Sequence, residues 1–144
     1  MDKNVCCFSE GMITLPEGFF ERTLNTLMDK RGALPPVTLS RDTLGNHNNI
    51  EEYIESQLNI LKKQVNDWHQ AAHQPAVLGD NAAMGLIIAY DFLRPDNLHL
   101  YQKQAVFSLD MENLLIFSQS KASAFTEEDE QRFITILESF RLHA

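Results

Sequence analysis

The chain has 144 residues, 44% of them hydrophobic and 22% charged, with a formal net charge of −8. That length and composition suit one globular domain with a real core. The acidic balance argues against nucleic acid, whose phosphates call for a basic stripe, and against electrostatic docking on an anionic membrane.

The opening residues, MDKNVCCFSEGM, lack the apolar stretch of a secretory signal, and no run approaches the ~18–20 apolar residues of a membrane span. The chain's two cysteines, Cys6 and Cys7, are adjacent, which strains a bond between them. A disulfide framework is therefore not expected, and a reducing, cytoplasmic setting is. Residues 1–11 read as a flexible leader within a single domain spanning 1–144.

A first strand is expected at 12–15, ended by Pro16-Glu17-Gly18. A second follows at 22–28 and, after the loop DKRGALPP, a third at 37–41. Asn49 with Glu52 three residues on resembles a capping box, and Ile54, Leu58, Leu61 and Val65 recur at helical spacing. The helix is expected over 50–65. DWHQAAH reads as a strand and QPAVLGDNAA as a turn. Residues 84–92, 98–109 and 113–120 form an antiparallel meander joined by the turn sequences RPDN and DMEN. Thr126 and three acids open a last helix, whose buried face is Phe133, Ile136, Leu137 and Phe140. The fold class is α+β: an antiparallel sheet of six or seven strands with two main helices. Both helices are expected on one sheet face, leaving the other open.

Alternation across the meander separates two sets. Tyr101, Lys103, Ala105, Phe107 and Leu109, with Leu115 and Phe117, suit the helix-packed core. Leu98, Leu100, Gln102, Gln104, Val106 and Ser108, with Leu114, Ile116 and Ser118, share the other face, and none is charged. Water-facing sheet surfaces usually carry Lys, Glu, Arg and Thr. An open apolar face marks a binding or oligomer surface, or else is covered by a loop or a second subunit.

Catalytic motifs are missing. There is no Walker loop, no G-x-G-x-x-G and no G-x-S-x-G. His69 and His73 lie four apart, but HQAAH lacks a zinc protease's glutamate and nothing nearby completes a ligand set. Asp91, Asp96, Asp110 and Glu112 sit at strand ends and turns, where turn chemistry explains them. The expectation is a protein that is not an enzyme and that uses no metal or cofactor.

The order of signals resembles the DcrB-related (DUF1795) family. ITLPEGFFERTLNTL, VTLSRD and a helix containing EEYIESQL look like its first half. AYDF, KQAVFSL, NLLIFS and a helix ending in ILESF look like its second. The resemblance runs from residue 12 to residue 142 and implies a PsbP-like fold, an antiparallel sheet backed by helices with a concave apolar face. A leaderless member of this size resembles the Eag chaperones of type VI secretion. These are cytosolic homodimers that hold the N-terminal transmembrane helices of Rhs or other PAAR-containing effectors before loading onto the secretion spike. Carried over by motif, the resemblance implicates Leu24, Thr26, Thr38, Gln57, Val65, Leu100, Gln104, Val106 and Ile116 in binding the effector helix. Thr26 and Thr38 stand where relatives often carry aliphatics, which implies a more polar groove. The alternative is a non-catalytic binding module of the same fold with another cell-envelope partner.

Overall fold

The computed structural model describes residues 5–143. β1 (Val5–Phe8) and β2 (Gly11–Thr14) form an antiparallel hairpin of their own. The expected flexible leader is thus a strand from residue 5 onward; residues 1–4 lie outside the described residues. β3 (Asn25–Leu27) is only three residues, shorter than the expected strand. β4 (Val37–Thr43) continues two residues beyond its expected end.

Helix α1 (Ile50–Lys62) is capped by Asn49, whose side chain accepts from the Glu52 amide at 2.9 Å. The Glu52 carboxylate reaches back to Asn48 rather than to Asn49, so the box closes one residue early. β5 (Asn66–Gln70) follows, with Asp67 at φ 54° inside it, where the pairing register shifts between Asn66 and His69. The segment expected to be a turn instead holds β6 (Gln74–Leu78), whose Pro75 is tolerated because the strand lies at a sheet edge. β7 (Ala83–Leu93), β8 (His99–Ser108) and β9 (Asn113–Lys121) form the expected meander. α2 (Glu127–Glu138) opens on a full capping box between Thr126 and Asp129.

The main sheet has seven strands in the order β3-β4-β9-β8-β7-β5, with β6 also paired to β7. Every pairing is antiparallel. An α+β architecture with an antiparallel sheet and two helices is what the sequence implied. The placement of the helices differs. Tyr53, Ile54 and Leu58 of α1 pack on Ile88, Tyr90, Phe92, Val106, Leu114 and Ile116. Phe133 and Leu137 of α2 pack on Val37, Ala105, Phe107, Leu115 and Phe117. Paired neighbours share a face and successive residues alternate, so the helices cover opposite faces. The physical reason is visible in the strands: residues 105–107 and 114–117 are buried at consecutive positions, the signature of a sheet covered on both sides.

Two polar groups lie in the α2 side of the core. The Asp129 carboxylate accepts from Lys121 Nζ at 2.6 Å, the Thr126 amide at 3.0 Å and Arg132 Nη1 at 3.1 Å. Burial on its own would raise its pKa; these donors outweigh that and hold the carboxyl well below the usual range. Gln119, 0% exposed, pairs in register between Val37 and Lys103, and both its amide atoms lack a hydrogen-bond partner among the described residues. An orphaned buried amide costs stability, whereas an apolar side chain of similar size does not. Gln119→Leu is expected to stabilise the protein by about 1–2 kcal/mol, read as a higher midpoint in urea unfolding.

Candidate functional site

The α1 side of the sheet divides into a covered and an uncovered part. Strand register builds it row by row. One row runs Ser40, Ile116, Val106, Leu86; its aliphatic members pack with the α1 core. The next row runs Thr26, Thr38, Ser118, Gln104, Ile88. A further row brings Ser120 beside Gln102 and Tyr90. Beyond the helix, the face therefore presents Thr26, Thr38, Ser118, Ser120, Gln102 and Gln104. All six are hydroxyls or amides, and none carries a charge.

Between this strip and α1 lies a cleft of about 230 Å³. Gln57, Ile54 and Leu58 form its helical wall, and Gln104, Val106, Ile116 and Ser40 its floor. At one end Tyr53 donates its hydroxyl to Asp42 Oδ2 at 2.6 Å, and Arg22 Nη2 stands 3.6 Å from Asp42 Oδ1. Burial first, and then the hydrogen bond to Asp42, push the Tyr53 phenol above its ordinary range, so it stays a neutral donor. Asp42 thus closes the cleft with its charge already matched by Arg22. The arrangement can hold apolar side chains and meet their backbone or polar neighbours with amides and hydroxyls.

The structure brings Gln57, Gln104, Val106 and Ile116 together in this cleft, with Thr38 and Thr26 in the adjoining row. Leu24 precedes β3 and is 60% exposed. Leu100 and Val65 stand apart, packed against the far end of the α1 core. One expectation needs correcting. Val106 and Ile116 are 2% and 9% exposed: they reach the cleft only at its floor and otherwise pack beneath α1, rather than lining an open apolar face. The uncovered surface is uncharged but polar. Tyr53, Asp42 and Arg22 were missed as cleft residues. The signal was present in the SRD sequence, whose Asp42 falls on the same face as Thr38 and Ser40.

The histidines behave differently from a helical pair. His69 sits in β5, where its Nδ1 lies 3.3 Å from Asp91 Oδ2; His99 Nε2 reaches the same oxygen at 2.7 Å. No group of three or more His, Cys, Asp or Glu side chains among the described residues is arranged to hold a metal. Asp110 accepts from the side chain and backbone of Asn113 and from the Glu112 amide, which keep its carboxyl below the usual range and make it a turn cap. Trp68 stacks on Tyr90 at 4.8 Å and on Phe92 at 5.8 Å, as part of the α1-side core. Burial pushes the Tyr90 phenol up to about 12. No helix among the described residues is long and apolar enough to cross a membrane.

Comparison with solved structures finds a Pseudomonas aeruginosa protein, PA94, described as a protein of unknown function and a candidate regulator. The two share 14% identity and a TM-score of 0.68, over 97% of this chain and 96% of that one. At that identity the likeness establishes the fold alone. Comparison with curated proteins gives no match. The DcrB family profile matches residues 10–139, nearly the whole chain. This chain is a member of the DcrB family.

Proposed function

We propose that this protein is a chaperone–adaptor that receives an apolar, membrane-type helix of a secreted effector on the α1 side of its sheet. The effector class is the Rhs or PAAR type of type VI secretion, the setting is cytoplasmic and the working form is a homodimer. The observation that supports this reading is the six-residue hydroxyl and amide strip beside the cleft, broad and free of charge on an otherwise acidic protein.

Such a surface suits the task for physical reasons. Membrane helices associate through close packing and side-chain hydrogen bonds, so their interfaces carry small and polar uncharged residues. Thr26, Thr38, Ser118 and Gln104 reproduce that chemistry on a sheet. Amides and hydroxyls donate and accept at once, and avoid the cost of burying an ion against an apolar client.

The test uses a Lys-flanked Leu-Ala peptide of about 20 apolar residues, fluorescently labelled and titrated with the protein. The native chain is expected to bind it and keep it soluble. Gln104→Glu, an isosteric change that puts a charge in the strip, is expected to weaken binding by at least about tenfold. Equal binding by the variant would remove the strip from the site. Failure of the native protein to bind would remove the function.

A further inference from the structure

The cleft alone is too small for the work assigned to it. A helix of about 20 residues is roughly 30 Å long and 10 Å across, with about 900 Å² of side surface. A cleft of about 230 Å³ admits only a few side chains. Shielding the rest requires apolar surface from elsewhere.

The N-terminal segment supplies it. The strands β1 and β2 contain no charged residue. Their register places Cys6, Phe8 and Ile13 on one face and Val5, Cys7, Met12 and Thr14 on the other. A two-stranded hairpin is marginal in water even with one polar face; this one has no polar face, and it pairs with no strand of the main sheet. Phe8, Met12 and Ile13 are each about half exposed or more, and the connecting segment adds Phe19 and Phe20, the latter 75% exposed. The segment is rooted at the cleft. Arg22 contributes to the cleft wall, and together with Phe20 it lines a second opening of about 490 Å³ beside Arg41, Asp42 and Thr43. Two kinds of contact hold the root. Arg22 meets Asp42, and Arg41 Nη1 bonds the Thr23 carbonyl at 3.4 Å and the Asn25 side chain at 2.6 Å.

We infer that the β1–β2 hairpin and its Phe19-Phe20 connection are a second apolar wall of the client site, closing on a membrane-type helix seated at the cleft. The inference rests on the function proposed above. The occupant is an uncharged helix because the hairpin strands themselves carry no charge, and because their connecting segment is rooted through Arg22 at a cleft whose floor is also uncharged. Sandwiching the ribbon against such a helix buries apolar side chains that otherwise face water.

The test exploits Cys6 and Cys7, the only cysteines of the chain, both in β1. A Cys6→Ser protein carrying a benzophenone on Cys7, which is exposed, is irradiated with the Leu-Ala peptide. The expected result is a crosslink to the peptide that unlabelled peptide competes away. A Met12→Ser, Ile13→Ser variant with an unchanged unfolding midpoint is expected to bind the peptide at least about tenfold more weakly. If the label reaches only a second copy of the chain, or the double variant binds normally while Gln104→Glu still impairs binding, the hairpin is not a wall and the sheet site stands alone. If the native protein does not bind the peptide, the wall and the function fail together.

Discussion

Val106→Asp is expected to abolish the folded state at 25 °C, whereas Leu24→Asp leaves it within about 0.5 kcal/mol of the parent. The two residues were expected on one open face, and the structure separates them. Val106 lies beneath α1 among Tyr53, Ile54, Leu58 and Ile116, with its side chain withdrawn from water. A carboxylate there has no cationic partner in that cluster. An uncompensated buried charge costs about 3–5 kcal/mol, and the lost packing adds to it. That is comparable with the whole stability of a domain, about 5–15 kcal/mol. Leu24 precedes an edge strand and is mostly in solvent. Circular dichroism and urea unfolding of the two variants read the difference directly. A well-folded Val106→Asp protein would mean that α1 does not cover this face.

The second large effect is Asp129→Asn, expected to cost about 2–4 kcal/mol at neutral pH. Asp129 is 2% exposed and serves three partners: the end of β9 through Lys121, the start of α2 through the Thr126 amide, and the next turn through Arg132. Asparagine keeps the shape but removes the charge those cations answer, leaving Lys121 and Arg132 beside a neutral group. The pH dependence follows in sign from the lowered carboxyl pKa. The unfolded chain takes up a proton at Asp129 near the ordinary carboxylate value, about 3.9, while the folded chain resists until lower pH. The contribution is therefore complete above that value and is lost as pH falls through it toward the folded pKa. The native protein should lose stability on acidification below about pH 5 more steeply than Asp129→Asn, measured as unfolding midpoints across pH.

The legible parts of the fold were those with local chemistry. Asn49 and Thr126 announced both helices because a side-chain oxygen must satisfy the first free amides. RPDN and DMEN announced the meander turns because Asp and Asn bond their own backbone there, as Asp110 does. What escaped was non-local. The apolar runs at 86–88, 105–107 and 114–117 look alike whether one face or both are covered, and reading them as alternating left the second helix on the wrong side. The β6 strand was hidden by Pro75 and Gly79, which punctuate a sequence as a turn although one lies in an edge strand and the other just past its end. The strand β2 was legible at 12–15, but its partner β1 was hidden because its apolar residues serve no core of their own.

The candidate site was half legible for the same reason. The resemblance to DcrB-related sequences picked out Gln57, Gln104, Val106 and Ile116, and the structure gathers them at one cleft. It did not say which would be lining and which foundation. Burial decides that: Val106 and Ile116 support α1, while the groups available to a partner are amides and hydroxyls. Asp42 and Tyr53 were invisible until α1 came to rest against β4, since their bond spans eleven residues and two elements.

The central claim is that an uncharged strip on the α1 side of the sheet receives an apolar helix. The most direct measurement is ¹⁵N-resolved NMR of the labelled protein during titration with the Leu-Ala peptide. The account predicts shifts in the backbone amides of Thr38 and Ser118 and in the side-chain amides of Gln57 and Gln104, with α2 and Gln119 unmoved. Shifts confined to α2 and its side of the sheet, or none at saturating peptide, would contradict it.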